Sequence, residues 1–360
     1  MLLAGLVLQT EQSRADSWQH AVSSRISTEF DTNPAMSPAY PGGVKLALFE
    51  PSYTLVGRVG ASEFKAGLAL QIARSSNNRL SQNRDSPSVF IEWLRQSDAG
   101  EFSISSRYDE IATRDAGIDA TGQVSIDSTR ASRTLTASWG KALSEHSRLS
   151  VNGAYTGVSY KGGAYIDYAT QTTGMNFSYE WSETVAPFLG VSNIDQVPAG
   201  GGPTSSRANA LFGMNLKVSE HLDCTIQAGK SKGGGTDSNN SSQRGVAIQY
   251  TGQRTQLALN ADHQASPSGL GGFVIADQVN GNWSYDLSEY SRTGISIGWR
   301  KNRSITDDTN RTADVWMQHD LNSYWSARTH YLHRTHEGGG VGGATSHLIG
   351  FALIYTRSDL

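Results

Sequence analysis

A short motif returns along this chain and dictates local structure wherever it falls. It reads Leu143-Ser144-Glu145-His146, Trp181-Ser182-Glu183-Thr184, Val218-Ser219-Glu220-His221, Leu287-Ser288-Glu289-Tyr290 and, more loosely, Leu321-Asn322-Ser323-Tyr324. The unit is roughly 35 residues, and the one long interval holds two units because Gly252-Gln253-Arg254 falls near its middle. A repeat of this kind, each copy centred on a tight polar turn, signals an array of like supersecondary units.

The flanks of each turn identify the unit as a β-hairpin. Before Ser182, Met175, Phe177, Tyr179 and Trp181 alternate with Gly174, Asn176, Ser178 and Glu180. Around Ser219, Phe212, Met214, Leu216 and Val218 precede the turn and Leu222, Cys224, Ile226 and Ala228 follow it, again at every second position. Strict period two places one apolar and one polar face on every strand.

Soluble sandwiches alternate as well, and three further features separate this chain from them. The alternating runs extend over about 10 to 13 residues, against a usual strand of about 5–6. Short turns regularly alternate with longer polar connections. Aromatic residues (Trp139, Trp181, Tyr285, Trp299, Trp325 and Tyr355) are expected at strand ends beside the short turns, where amphipathic rings favour a membrane–water boundary. The fold class expected is all-β: a single transmembrane, antiparallel, up-and-down β-barrel.

Composition agrees with that class. The chain has 360 residues, 37% hydrophobic and 18% charged, with one cysteine and a formal charge of −3. A barrel strand meets lipid with only every second residue, so no long apolar run is required. The near-neutral charge gives no nucleic-acid footprint. The lone Cys224 excludes an intrachain disulfide framework and disfavours a cysteine-based metal site. Met1–Leu8 reads as the apolar part of a signal peptide, with Ser13-Arg14-Ala15 as a small-x-small cleavage site. Residues 1–15 are therefore assigned to a signal peptide lacking its basic n-region, and 16–360 to the barrel.

Short turns are predicted near Gly60, Ala99, Glu145, Glu183, Glu220, Gly252, Glu289 and Ser323. Longer connections are predicted at 31–43, 75–87, 111–130, 160–166, 195–206, 230–243, 263–272, 301–312 and 335–344. Together they join about 18 strands, with 16 as the alternative because Pro51 interrupts the second. A barrel of about 16–18 strands is wide enough for an aqueous channel. The last strand, with Gly350, Phe351, Leu353 and Tyr355, has the pattern of an outer-membrane assembly signal, although Thr356 to Leu360 follow the final aromatic.

The first strand end, Ile26-Ser27-Thr28-Glu29-Phe30-Asp31-Thr32-Asn33-Pro34, followed by Tyr40-Pro41-Gly42-Gly43-Val44, resembles the opening of the β-barrel porin families encoded beside exopolysaccharide gene clusters in Gram-negative bacteria. The repeated Leu-Ser-Glu turns are similar to theirs. That resemblance implies a cell outer-membrane location, contact with outer-membrane lipid, and a role in polysaccharide export, with export-machinery components as partners, or in solute passage. It supplies no catalytic residue.

The residues expected to line the lumen are Arg107, Asp109, Glu180, Lys217, Asn280, Asn282, Arg292, Arg300, Asp314, Trp316, Arg328 and Arg334, with Gln227, Asn260 and Asp262 on the same face. Charge ladders of this kind set ion or sugar preference. Arg292, Arg300, Arg328 and Arg334 suggest a basic stripe favouring anions or acidic sugars, which Asp314 and Asp320 could neutralise. Charge reversal at Arg292 or Arg300 is expected to change ion preference and leave folding intact. Trp316 could stack on a sugar ring or pack against a plug.

No cofactor or metal is expected. His330, His333 and His336 cannot converge on a strand, because His333 points away from the other two. The acidic stretches Arg114 to Asp119 and Asp307-Asp308 are more readily solvated loop acids than a calcium site. The Gly-rich runs lack the Lys-Ser/Thr of a phosphate loop. Two other functions stay in view. A lipid hydrolase would need Ser346, His347 and His333 to pair near the rim. A scaffold barrel would sheathe a partner protein or plug.

Overall fold

In the computed structural model, residues 17–38, 42–113, 128–162, 165–237, 239–269, 271–303, 307–338 and 341–358 are described. The expected signal peptide and the acidic segment from Arg114 to Asp119 lie outside them. Eighteen strands follow one another in chain order. They are β1 (Ser17–Asp31), β2 (Val44–Val59), β3 (Ser62–Ser75), β4 (Arg84–Ser97), β5 (Gly100–Ala112) and β6 (Thr129–Ala142). Next come β7 (Ser147–Lys161), β8 (Tyr168–Tyr179), β9 (Val185–Pro198), β10 (Ser205–Ser219), β11 (Leu222–Gly235) and β12 (Ser241–Thr251). The last are β13 (Thr255–Pro267), β14 (Phe273–Asp286), β15 (Ser291–Arg303), β16 (Asp307–Asp320), β17 (Trp325–Gly338) and β18 (Val341–Ser358).

Each strand pairs antiparallel with its sequence neighbours, and β1 also pairs with β18, from Ala21 opposite Ser358 to Asp31 opposite Leu348. The sheet is thus a closed up-and-down barrel with no open edge between first and last strand, the only β form that satisfies its backbone inside a bilayer. The count is the one the turns predict.

Why the motif recurs is visible in the turns. The hydroxyl of Ser144 accepts the backbone N–H groups of His146 (3.4 Å) and Ser147 (3.1 Å). Ser182 does the same for Thr184 and Val185, Ser219 for His221, and Ser288 for Tyr290. Asn322, where the fifth copy departs, receives Tyr324 at 2.9 Å and Trp325 at 3.0 Å on its carbonyl. A short side-chain acceptor that captures N–H groups two or three residues on closes a turn that the backbone alone would leave open. The apolar residue ahead of it (Leu143, Trp181, Val218, Leu287 or Leu321) is exposed on the outer side in every copy.

The ladder registers sort all side chains into two surfaces. Ile26, Leu68, Ile91, Leu189, Phe212, Ile297 and Phe351 stand exposed on the outside, where lipid would cover them. Inside run polar cross-strand pairs such as Ser103 with Ser138 (2.7 Å), Ser105 with Thr136 (2.6 Å) and Asn215 with Thr225 (2.8 Å). At the short-turn end Phe64, Trp93 and Phe102 pack in series, and Trp325 lies 5.1 Å from Tyr355, forming part of an aromatic belt.

Three details differ from expectation. Strands run from 11 residues in β12 to 18 in β18, most of them longer than the alternation suggested. They invade the segments expected to be loops at 301–312 and 335–344, where β15, β16, β17 and β18 continue as paired ladder beyond the apolar band. Trp299 lies four positions from the far end of β15, next to the longer connection and not beside a short turn. Pro51 sits within β2, opposite Ser24 of β1. On its other side the ladder to β3 is interrupted between Phe49 and Ser52, because proline has no N–H to give. The Gln71 amide, donating to the Glu50 carboxylate at 2.7 Å, spans that gap from the lumen side.

Among the described residues, few large apolar side chains are buried. The largest fully buried side chains include Arg207, Gln196, Asn302, Asn310 and Asp31, which cluster toward the end with the longer connections. Those connections fold inward. The Gln196 amide of β9 donates to the Ser268 carbonyl at 2.8 Å, and Ile166 N–H to the Gly269 carbonyl at 2.8 Å. The connection after β13 therefore crosses the mouth to reach the inner face of β9 and the connection after β7.

Candidate functional site

Residues from both ends of the chain meet on one stretch of inner wall, because closure sets β1 beside β18. A cavity of about 390 Å³ opens there, between β16, β17 and β18 on one side and β1 to β4 on the other. Its charged lining is Arg25, Arg84, Arg328, Arg334 and His330 against Glu29, Asp31, Glu50 and Asp314.

Partners divide these charges unequally. Arg25 reaches Glu50 at 3.5 Å and Glu29 at 4.0 Å. His330 lies between two carboxylates, 3.4 Å from Asp314 and 3.7 Å from Glu29. Arg334 and the Ser346 hydroxyl both donate to Asp31, which is 1% exposed. Arg84 also has partners in the structure. Arg328 is different: among the described residues it forms no ion pair. Its guanidinium lies 4.3 Å from the centre of the Trp316 ring, a cation–π contact that leaves the guanidinium edge free to fork onto a carboxylate.

Glycines set the rings flat against the wall. Trp316, His330, Gly350 and Glu29 are opposed in turn across β16, β17, β18 and β1, with Gly294 of β15 opposite Trp316. A Cβ at Gly350 would fall 2.0 Å from His330 Nε2, and one at Gly294 would fall 2.6 Å from Trp316 Cζ2. Both rings occupy space that only glycine leaves vacant, so the row lines the lumen without crossing it.

The sequence-derived candidates within strands lie on inward positions of the registers, but they do not converge. Arg107 and Asp109 sit on β5, 3.5 Å apart. Glu180 lies just past β8 and Lys217 near the end of β10, both at the short-turn rim. Asn280 and Asn282 are exposed on β14. Only Asp314, Trp316, Arg328 and Arg334 come together at the cavity. Arg25, Glu29, Asp31, Glu50, Gln71 and Arg84 complete it, and they were not among the candidates. Period two does place them inward, opposite in phase to Ile26, Phe30 and Phe49. Pro51 left the first strand pair open, which bears on Arg25, Glu29 and Glu50, while Asp31 and Arg84 fell inside the connections predicted at 31–43 and 75–87 and read as loop residues.

The expected basic stripe is broken up. Arg292 is held by Asp286 at 2.5 Å, Arg300 donates to Asn302 at 3.0 Å, and Arg334 is tied to Asp31. Arg300 is only 7% exposed, so reversing its charge would threaten folding as well as selectivity. The hydrolase arrangement does not form either. Ser346 faces the lumen and donates to Asp31, whereas His333 and His347 lie on the outer face with their rings 4.8 Å apart. His330 and His336 share the inner face, where His336 meets Asn310 at 2.8 Å.

No protein-family model matches the sequence, and no curated protein does. Solved structures do match. The outer membrane protein OpdK of Pseudomonas aeruginosa aligns with a TM-score of 0.53 at 11% identity, over 95% of this chain and 99% of that one. OccAB4 of Acinetobacter baumannii aligns with a TM-score of 0.53 at 8% identity, over 96% of this chain and 99% of that one. A second structure, of Pseudomonas aeruginosa OpdK with vanillate, gives 0.53 at 11% identity, over 95% and 98%. The closed barrel of this chain is the fold of those outer membrane proteins.

Proposed function

We propose that the chain is an outer-membrane channel that passes small polar solutes and favours anions. Arg328 carries the proposal. Every carboxylate at the cavity has a cationic or amide partner, which leaves the Trp316-backed guanidinium as the wall's uncommitted charge. A solute bearing a carboxylate and a flat ring could use both groups at once. Vanillate, an aromatic carboxylate, accompanies OpdK in one of the similar structures, and it sets the chemical class to try first. The connection after β13, folded across the mouth, favours small solutes over a polymer strand.

Planar-bilayer recordings of the refolded barrel under a salt gradient test this reading. The wild type is expected to show an anion-selective reversal potential, and Arg328→Glu to shift it toward cations. An unshifted potential would remove Arg328 from the conduction path. A silent but folded barrel would favour a plugged or partner-filled lumen. Passage of long polysaccharide through the wild type would restore the export reading.

A further inference from the structure

The outer wall carries a second recess, unrelated to whatever the lumen passes. It holds about 600 Å³, within the range of small-molecule pockets, and lies across β10 to β15 on the face that meets lipid. Its floor is one ladder row, Ile226, Val246, Ala261 and Val279, each opposed to the next, and the row ends at Trp299. The small side chain of Ala261 and the short valines make the hollow. Phe212 and Trp299 wall its two sides.

The next row toward the longer connections changes character in one step. Ala228, Arg244, His263, Asp277 and Lys301 are opposed in turn. Lys230 lies diagonally beside Arg244 on β11, two ladder positions on and on the same face. Apolar and charged rows thus adjoin where the membrane boundary must pass, with the hollow on the apolar side. Asp277 is already engaged by His263 Nδ1 at 2.6 Å and by Arg303 Nε at 2.7 Å. Arg244, by contrast, is exposed and makes no ion pair among the described residues, and Lys230 is exposed beside it.

We infer that this recess holds a phosphorylated lipid of the leaflet on the long-connection side. One acyl chain lies along the Val246–Ala261–Val279 floor, and the phosphate is met by Arg244 and Lys230. Charge complementarity selects the occupant. A cation pair left without carboxylates above an apolar hollow matches a molecule with a phosphate at one end and a hydrocarbon chain at the other. A zwitterionic lipid would bring its own cation to the same spot and would lose that advantage.

Native mass spectrometry of the detergent-solubilised, folded barrel provides the test, with phosphatidic acid and phosphatidylcholine of equal chain length as probes. The wild type is expected to retain one phosphatidic acid in preference to phosphatidylcholine. Arg244→Glu should weaken that retention about tenfold or more, as the loss of one charge-assisted contact implies. Ala261→Phe, which fills the hollow and leaves every charge in place, should weaken it as well. Equal retention of the two lipids by the wild type would overturn the inference. So would a loss confined to one variant, because an anion site without a chain groove, or the reverse, is not a lipid site. Both side chains stand on the outer face, and heat-modifiable gel migration checks that each variant is folded. Arg244→Gln replaces the reversal if the glutamate variant does not fold.

Discussion

Arg334 and Asp31 are 303 residues apart in sequence and meet on the inner wall, nearly sealed from solvent. A buried pair of this kind adds little over an apolar pair, but removing one member strands the other's charge. Arg334→Ala should therefore cost about 3–5 kcal/mol of stability, read as a lower denaturant midpoint for the refolded barrel. The double change Asp31→Asn with Arg334→Met should recover most of it. Arg328 lies on the same strand and face, yet it is the group free to act on a solute. Parity alone placed both arginines inward and could not tell them apart. The difference lies in what each one touches.

At the scale of the hairpin, the serine before each glutamate is a turn acceptor, and the asparagine of the fifth copy does the same work with a carbonyl. Ser182→Ala should weaken its hairpin by about 1 kcal/mol, the net worth of an ordinary hydrogen bond, whereas Ser182→Asn should be close to neutral. Urea unfolding of the two variants in the same lipid distinguishes them. The turns were fully legible in sequence because their chemistry is local. The far ends of the strands were not. Apolar alternation fades once a strand leaves the lipid, but β15 to β18 stay paired past that point, since each still has a neighbour to satisfy its backbone. Polar ladder and polar loop have the same composition, and so the connections at 301–312 and 335–344 read as longer than they are.

At the scale of the whole barrel, two acts of long-range geometry shape the lumen. Closure sets β1 against β18, which adds Arg25, Glu29 and Asp31 to the wall that carries Arg328 and His330. The inward fold at Ser268 and Gly269, pinned to Gln196 and Ile166, narrows the mouth. Replacing 268–272 with a two-residue Asn-Gly turn, which closes a hairpin tightly, should raise single-channel conductance and leave the short-turn end unaltered. The same replacement should admit larger sugars in a liposome-swelling assay. An unchanged conductance would show that this connection does not set the narrowest point.

The sequence by itself determined the class of fold, the position of every short turn and which side of the wall the residues of the alternating runs face, and it narrowed the strand count to 18 or 16. All of these follow from period two and from hydrogen bonds made within three or four residues. Only the tertiary structure decided which inward charges are spent on one another, which glycines let Trp316 and His330 lie flat, and which connection crosses the mouth. Those depend on neighbours brought together by closure and by loop path, and a one-dimensional pattern carries no distance between residues far apart in the chain.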